Sequence, residues 1–216
     1  TIQGLFEMAN IRFVGAGVLA SAVSMDKPFT KSVFSAAGLP QLAYVTIQPW
    51  EWDAYRERSL ARVQALDYPV FVKPARAGSS SGVTRVTQES DLLAAIEFAR
   101  EHDPKVVIEK SALNPREIEC AVIQDAKGKP IASEVGEIVV QTGEAHEYYD
   151  FEAKYLDGTS QIVVPADIPP GVKERVQAYA LQAFDAVGAE GLARVDFFLT
   201  DNVGGGLVIN EINTMP

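Results

Sequence analysis

Three polar residues near the end of the chain have the types and spacing of a divalent-cation site. They are Asp196, Glu211 and Asn213, and each lies within an apolar run. Carboxylate and amide oxygens are hard ligands of the kind that Mg²⁺ binds, with phosphate oxygens and water completing its octahedron. A solvated strand face with ordinary charges is an equal alternative on spacing alone, although the interspersed Phe and Ile residues favour a buried hairpin.

A β-hairpin is the element that could bring these three residues together. Apolar runs at residues 191–200 and 206–214 flank the glycine-rich segment 201–206, a pattern typical of two antiparallel strands. Side chains alternate faces along a strand, so Arg194 and Phe198 share the face of the first acid. If the register of the hairpin joins this face to that of the partner strand, three oxygen ligands converge beside a cation.

A second group of residues, 68–82, has the composition of a phosphate-binding loop. A buried strand ends in Lys73 and is followed by Gly78, Ser79 and Ser80. Small residues let backbone N–H groups approach phosphate oxygens, hydroxyl groups add donors, and the lysine adds a compact positive charge. The pattern differs from a P-loop, in which the lysine follows the glycines, and from a dinucleotide fingerprint. A flexible surface loop is the alternative.

Three weaker patterns complete the candidate site. The strand predicted at residues 106–109 ends in polar residues and is followed by Glu117, which would suit a hinge for adenine with a carboxylate on the ribose hydroxyls. Residues 148–155 crowd aromatic and charged side chains into a long loop, which is typical of a lid. Residues 24–27 place a lysine at a helix start, where it could reach a phosphate. The alternatives are exposed strand-end charges, an amphipathic helical turn and a capping segment, respectively.

Composition excludes several classes of protein. The chain has 216 residues, 47% of them apolar, and a net charge of −10, which argues against nucleic-acid binding as its main task. Its single cysteine, Cys120, excludes an intrachain disulfide and fits a reducing cytosol. No apolar run approaches 18 residues, so the sequence predicts no membrane span. The two histidines, His102 and His146, lie in no metal-ligand spacing, and neither is assigned a catalytic role.

The elements that position these residues indicate an α+β fold, because helices and hairpins interleave without a steady βαβ rhythm. Since the chain begins with Thr1 and stops directly after the proposed metal strand, we expect a fragment of a longer protein. The predicted helices cover residues 4–9, 28–37, 50–66, 90–101 (with Ser90 as cap) and 169–187. The predicted strands cover residues 11–14, 42–47, 68–73, 83–87, 106–109, 116–124, 130–135, 161–164, 191–200 and 206–214.

Taken together, these patterns resemble the D-alanine–D-alanine ligases of the ATP-grasp superfamily, from about residue 15 to residue 216. Five motifs that occur in order carry the resemblance. They are Ser-Met-Asp-Lys at 24–27, Val-Lys-Pro at 72–74 with Gly-Ser-Ser at 78–80, Tyr-Asp-Phe-Glu-Ala-Lys-Tyr at 149–155, Gly-Leu-Ala-Arg-Val-Asp at 191–196 and Asn-Glu-Ile-Asn at 210–213.

The resemblance implies an ATP-grasp fold, in which two α+β lobes clamp Mg-ATP beside a remnant of an N-terminal α/β domain. The implied boundaries are 1–24 for the remnant, 25–110 for the central lobe and 111–216 for the C-terminal lobe, with a lid loop at 141–160. The implied reaction joins two D-alanine molecules through an acyl phosphate, for peptidoglycan precursor synthesis. ATP and two Mg²⁺ ions (Mn²⁺ as a substitute) are the implied cofactors, in a cytoplasmic homodimer that binds neither nucleic acid nor membrane.

The resemblance also implies residue roles. Lys27 and Lys73 would hold phosphates, Arg194 would meet the transferred phosphoryl group, and Phe198 would pack on the adenine base. The full implied ATP set is Lys27, Lys73, Gly78, Ser79, Ser80, Glu109, Lys110, Ala112, Glu117 and Phe198. The implied metal ligands are Asp196, Glu211 and Asn213. The implied catalytic set is Arg194, Lys154, Tyr155 and Ser79.

Two departures and two rival functions accompany the resemblance. Ser81 stands where the family usually has an aliphatic residue, and the chain is expected to contain only the tail of the family's N-terminal domain and to lack its extreme C-terminus. A relative that uses D-lactate or D-serine as acceptor is the first rival, although Tyr155 within Glu-Ala-Lys-Tyr favours D-alanine. A non-catalytic nucleotide-binding module is the second rival, and the intact set of metal and arginine residues argues against it.

Overall fold

The computed structural model describes residues 1–140, 160–201 and 206–216. These residues form two compact units. The first unit contains residues 1–41, 113–140, 160–201 and 206–216, and the second unit contains residues 42–112. Both units combine helices with an antiparallel sheet, so the predicted α+β class is confirmed. The domain boundaries predicted after residues 24 and 110 stay predictions.

The helices and strands are numbered in chain order. The helices are α1 (Ile2–Met8), α2 (Val18–Met25), α3 (Lys27–Ala36), α4 (Pro49–Ala54), α5 (Arg56–Gln64), α6 (Leu92–His102) and α7 (Val172–Ala186). The strands are β1 (Tyr44–Ile47), β2 (Val70–Pro74), β3 (Thr84–Val86), β4 (Val106–Lys110), β5 (Arg116–Gln124), β6 (Pro130–Val140), β7 (Ser160–Val163), β8 (Leu192–Leu199) and β9 (Leu207–Asn213). Within the described part of the chain, no helix has both the length and the apolar character needed to cross a membrane.

The second unit is a four-stranded sheet in the order β1-β4-β2-β3, covered on one face by helices. Helix α6 buries Leu92, Ala95, Ile96 and Ala99, which recur at the spacing of one helical face. They pack with Ile108 of β4 in the core of this unit. The helix therefore ends at a fixed position beside the sheet, directly before β4.

The first unit is a five-stranded sheet in the order β7-β6-β5-β8-β9. Helix α7 buries Val176, Ala180 and Phe184 at intervals of four residues, and they pack in one cluster with Val195 and Phe197 of β8. Alternation then directs the intervening residues of β8 to the opposite face of the sheet. That opposite face is the one that carries the predicted chemistry.

Three local predictions were wrong. Residues 11–14 form no strand. The helix predicted at 50–66 is two helices, because Tyr55 between them has φ −141° and ψ 47°, which is not helical backbone. Ser90 lies in a 3₁₀ turn (Glu89–Asp91), and Asp91 precedes α6. Helix α2 was not predicted at all.

Cys120 provides a simple test of the core of the first unit. Its side chain is buried within β5, and desolvation raises the pKa of the thiol. Since the thiolate is the reactive form, we expect the folded protein to react slowly with an aromatic disulfide reagent at pH 8. The chromophore released should appear quickly only after denaturation. Rapid release of one equivalent from the native protein would contradict this burial.

Candidate functional site

The hairpin of β8 and β9 brings the predicted metal residues together. Arg194 lies opposite Asn213, and Asp196 lies opposite Glu211. These four side chains share the sheet face that is turned away from α7, because their neighbours Val195 and Ile212, also a pair, belong to the core. The register of the hairpin therefore joins the face that carries Arg194 and Asp196 to the face that carries Glu211 and Asn213.

A β-bulge in β9 makes this arrangement compatible with the core. Asp196 pairs with Glu211, but the next residue of β8, Phe197, pairs with Ile209, which leaves Asn210 as the extra residue. Without the bulge, Ile209 and Glu211 would share a face, because they are two positions apart. With it, Ile209 is buried in the core and Glu211 lies on the opposite face.

Glu119 extends the site and was missed by the sequence reasoning. It lies on β5 directly opposite Asp196, so that Glu119, Asp196 and Glu211 form a row across three neighbouring strands. We call this set the carboxylate row. The alternating pattern of β5 would have placed Glu119 on the same sheet face as Glu117. Only the pairing of β5 with β8 shows that it lies opposite Asp196.

Arg194 is held by two members of the carboxylate row. Its Nε and Nη2 donate to Oδ1 and Oδ2 of Asp196 at 2.7 and 2.8 Å, and its Nε lies 3.1 Å from Oε1 of Glu119. Such charge-assisted, two-pronged contacts fix the plane of a guanidinium group. The hydrogen bonds to Asp196 raise the pKa of Arg194 above its already high value, so this residue is a permanent cation.

Asp196 is the most perturbed carboxyl group of the site. Desolvation raises its pKa to about 7, and Glu211 and Glu119 add to the shift, whereas Arg194 opposes it. Asn213 also donates from Nδ2 to Oδ2 of Asp196 at 2.8 Å. A bound cation favours the deprotonated form of its ligands, so a divalent ion here would complete the ionisation of Asp196.

The donor types of the predicted metal residues fit Mg²⁺. Across the described ranges, no cluster of three His, Cys, Asp or Glu side chains is arranged to hold a metal ion. The predicted set instead combines two carboxylates, Asp196 and Glu211, with the amide of Asn213, all oxygen donors. Both oxygens of Asp196 already accept hydrogen bonds from Arg194. Oδ1 accepts only one of these hydrogen bonds, from Nε of Arg194, and keeps a lone pair for a metal ion, whereas Oδ2 accepts hydrogen bonds from both Arg194 and Asn213.

Glu117 and Phe198 lie beside the carboxylate row on the same sheet. They are paired across β5 and β8, two positions from Glu119 and Asp196. Side chains two positions apart along a strand lie on the same side of the sheet, so Glu117 and Phe198 share the sheet face of the carboxylate row. The structure thus brings together the carboxylate predicted for ribose and the ring predicted for the base.

In the second unit, two more predicted residues contact each other. Nζ of Lys73 lies 3.2 Å from Oε2 of Glu109, with 16% and 4% of the side chains exposed. Nζ of Lys73 also lies 5.9 Å from the ring centroid of Phe71, which is paired with Glu109 across β2 and β4. The lysine predicted for phosphate is therefore held near the end of its strand by a nearly buried carboxylate.

The phosphate loop was predicted at residues 74–82; Pro74 belongs to β2, and residues 75–82, which we call the predicted phosphate loop, have unusual backbone. Ser79 and Ser80 have φ values of 50° and 57°, which are uncommon for residues with a side chain. A Cβ added to Gly78 would meet nothing within 4 Å, so the backbone is open to approach at this point. Strained backbone of this kind persists where surrounding contacts hold it, and it clusters at ligand sites.

An ion pair at the start of this loop predicts an acid-sensitive part of the folding free energy. Desolvation alone would raise the pKa of Asp103, but hydrogen bonds from Arg76 and from the Lys105 N–H lower it by more. A carboxyl group with a depressed pKa stabilises the fold at neutral pH, and this contribution is lost as the pH falls through its native pKa. We expect Asp103→Asn to reduce the fall in unfolding free energy between pH 5 and about 3, measured with urea. An unchanged pH dependence would contradict the assignment.

The other predicted residues are located as follows. Lys27 is the first residue of α3, and Nζ of Lys110 lies 3.2 Å from Oδ2 of Asp67. Ala112 ends the second unit, after β4. The lid loop at 141–160, with Lys154 and Tyr155, lies outside the described residues except for Ser160.

The chain matches a known protein family over most of its length. The family model described as "D-ala D-ala ligase C-terminus" matches residues 33–216. The D-alanine–D-alanine ligases of Paenarthrobacter aurescens and Kineococcus radiotolerans are 55% and 52% identical to the chain over its whole length. In both cases the chain spans 57% of the relative, a little over half of its length.

Solved structures agree with this result. D-alanyl-alanine synthetase A from Vibrio cholerae superimposes with a TM-score of 0.84 at 31% identity, and a D-Ala:D-Ser ligase from Enterococcus faecalis with 0.83 at 38% identity. All of this chain is covered in both comparisons, together with 62% and 60% of the respective relatives. The ATP-grasp fold expected from the sequence is the fold of these structures.

Proposed function

Because the chain belongs to the D-alanine–D-alanine ligase family, we propose that its protein joins two D-alanine molecules in an ATP-dependent reaction that supplies peptidoglycan precursor. The observation that carries the proposal is the carboxylate row with Arg194, found within a chain that matches these ligases along its whole length. A cytoplasmic location and a homodimer belong to the same proposal and rest on family membership alone.

The proposed chemistry has two steps. A carboxylate oxygen of the first D-alanine attacks the γ-phosphorus of ATP, which forms an acyl phosphate and releases ADP. The amine of the second D-alanine then attacks the acyl carbon, and the tetrahedral intermediate loses phosphate and a proton to give the dipeptide. Phosphoryl transfer of this kind requires positioning and charge stabilisation more than covalent help from the protein.

Residues of the first unit supply the charge stabilisation. Asp196, Glu211 and Asn213 would hold Mg²⁺, which neutralises phosphate oxygens when it is bound. Arg194 then turns part of its donor fork from Asp196 towards the transferred phosphoryl group and the oxyanion of the intermediate. Glu119 retains its contact with Nε of Arg194 during this exchange, so the guanidinium group stays in place.

Residues of the second unit supply phosphate contacts. Lys73 neutralises phosphate charge while Glu109 limits its motion. Gly78 offers open backbone, and the hydroxyl groups of Ser79 and Ser80 would donate to phosphate oxygens. Ser79 also belongs to the proposed catalytic set. Lys27, at the first turn of α3 in the first unit, adds a further cation for phosphate in this proposal.

The nucleoside and lid roles complete the proposal. Glu117 accepts hydrogen bonds from the ribose hydroxyls and Phe198 stacks on the base, in keeping with their paired positions. Glu109, Lys110 and Ala112 serve the adenine end. Lys154 and Tyr155 would belong to a lid that excludes water, which would otherwise hydrolyse the acyl phosphate.

The test is ADP release by the natural gene product with Mg-ATP and a panel of acceptors. D-alanine alone, L-alanine alone, D-alanine with D-lactate, and D-alanine with D-serine should be compared, and the products identified by mass spectrometry. We expect ADP and D-alanyl-D-alanine in equal amounts with D-alanine alone. ATP binding without ADP release under any condition would instead support a non-catalytic nucleotide-binding module.

A D-alanine–D-serine ligase is the second candidate, because a ligase of that kind has nearly the same fold as this chain. Its identity to the chain is 38%, which is above the 31% of the synthetase from Vibrio cholerae but well below the 55% and 52% of the D-alanine–D-alanine ligases from Paenarthrobacter aurescens and Kineococcus radiotolerans, and these two favour the first proposal. Preferential formation of D-alanyl-D-serine in the mixed reaction would reverse this order.

A further inference from the structure

Two consecutive residues at the end of α6 contact both ends of the predicted phosphate loop. Asp103 is bound to the beginning of the loop at Arg76, and His102 contacts its end at Ser81 and Gly82. All of these residues belong to the second unit. We call His102 and Asp103 the anchor pair.

The contact at the beginning of the loop is a strong ion pair. Nε and Nη2 of Arg76 donate to Oδ2 and Oδ1 of Asp103, both at 2.7 Å. The Asp103 side chain is only 4% exposed, and it also accepts a hydrogen bond from the N–H of Lys105. The N–H of Ala75 donates to the carbonyl of Lys105, so backbone and side chains fix the same point.

The contact at the end of the loop is close packing against a ring. Gly82 has φ +70°, and a Cβ added there would lie 2.6 Å from Cδ2 of His102. Nδ1 of His102 lies 3.4 Å from Oγ of Ser81, at the long end of the hydrogen-bond range. The ring itself packs edge-on against Phe98, one turn earlier in α6. At position 82, therefore, only glycine fits beside the rings of His102 and Pro74.

The two contacts hold a segment that would otherwise relax. Between them, Ser79 and Ser80 have left-handed backbone, which costs free energy and persists only where the surroundings impose it. Holding a loop in its binding conformation before the ligand arrives increases affinity, because less conformational entropy is lost on binding. Asp103 of the anchor pair is buried and His102 is exposed, and the helix that carries them is packed by Leu92, Ala95, Ile96 and Ala99 in the core of the second unit.

We propose that His102 and Asp103 are positioning residues that hold the loop of residues 75–82 ready for the phosphates of ATP. The inference rests on the proposed function of this loop and adds the elements that shape it. Ser81 takes part in the same arrangement, because its Oγ lies within reach of Nδ1 of His102.

The test is the dependence of affinity on the number of phosphates. Calorimetric titration of the natural gene product with adenosine, ADP and ATP should be repeated with His102→Ala and Asp103→Asn. We expect each variant to bind ATP about tenfold more weakly, ADP less so, and adenosine with unchanged affinity. A purely structural role would leave the ratio of ATP to adenosine affinity unchanged and would overturn the inference.

Three controls separate the explanations. Arg62→Ala, which breaks another ion pair of the second unit with Glu51 at 3.0 Å, should change no affinity. If Arg76 bound phosphate directly, Arg76→Ala would weaken ATP binding while Asp103→Asn, which frees Arg76, would not, and this result would overturn the anchoring role. If the unmodified protein bound adenosine as tightly as ATP, this result would contradict the proposed phosphate-binding function of the loop itself, whatever the behaviour of the variants.

Discussion

Replacement of Asp196 with asparagine is expected to lower kcat of the proposed ligase reaction on the order of a hundredfold or more. Asparagine has nearly the same shape, so the change removes charge rather than volume. The central member of the carboxylate row would then offer no anionic oxygen to Mg²⁺ and no strong acceptor to Arg194. The Mg²⁺ concentration needed for half-maximal rate should rise in parallel, because a metal ligand has been lost.

The matched control for this variant is Asp185→Asn, which makes the same change on an exposed position of α7 in the same unit. Its kcat and Mg²⁺ dependence should equal those of the unmodified protein. Glu211→Gln should resemble Asp196→Asn in both quantities. If Asp196→Asn turned over at the normal rate, the assignment of the metal site to this row would be wrong.

Replacement of Arg194 with lysine is expected to lower kcat by about 10²–10³ while the affinity for ATP changes little. Lysine keeps the positive charge but cannot reproduce the planar fork that contacts Asp196 and Glu119. The loss would therefore fall on the step in which charge develops on the transferred phosphoryl group. Single-turnover measurements of acyl phosphate formation, together with ATP titrations, would separate the two effects.

Arg175→Lys is a suitable comparison for this variant, since it makes the same exchange on α7. Glu119→Gln should show a smaller loss in the same direction as Arg194→Lys, because it removes one of the two carboxylates that hold the guanidinium group. An equal loss of ATP affinity and rate in Arg194→Lys would mean that Arg194 acts in ground-state binding and not in the reaction.

Two apolar runs that flank a glycine-rich segment were enough to predict the hairpin of β8 and β9. The alternation of side chains along a strand then predicted the shared face of Arg194 and Asp196, because the strand period is a local property. Prolines at the start and a glycine just past the end predicted α3 and α7. The break at Tyr55 was not predicted, since the flanking residues on both sides suit a helix and only the backbone of Tyr55 departs from one.

Two features of the candidate site depend on contacts between distant segments and could not be read from local sequence. The position of Glu119 beside Asp196 follows from the pairing of β5 with β8, about seventy-five residues apart in the chain. The contacts of His102 and Asp103 with the phosphate loop follow from the packing of α6 on its sheet. Sequence patterns predicted the loop but not the residues that hold it.

The β-bulge at Asn210 has a consequence for how β9 can vary. Before the bulge, the odd-numbered Ile209 faces the core, and after it the even-numbered Ile212 does, so the strand changes phase between a structural half and a chemical half. Adding or removing one residue within β9 would keep the residue types but shift their spacing by one, which would expose an isoleucine or bury Glu211. An insertion or deletion within β9 is therefore expected to disrupt either the core or the candidate site, even where every residue type is kept.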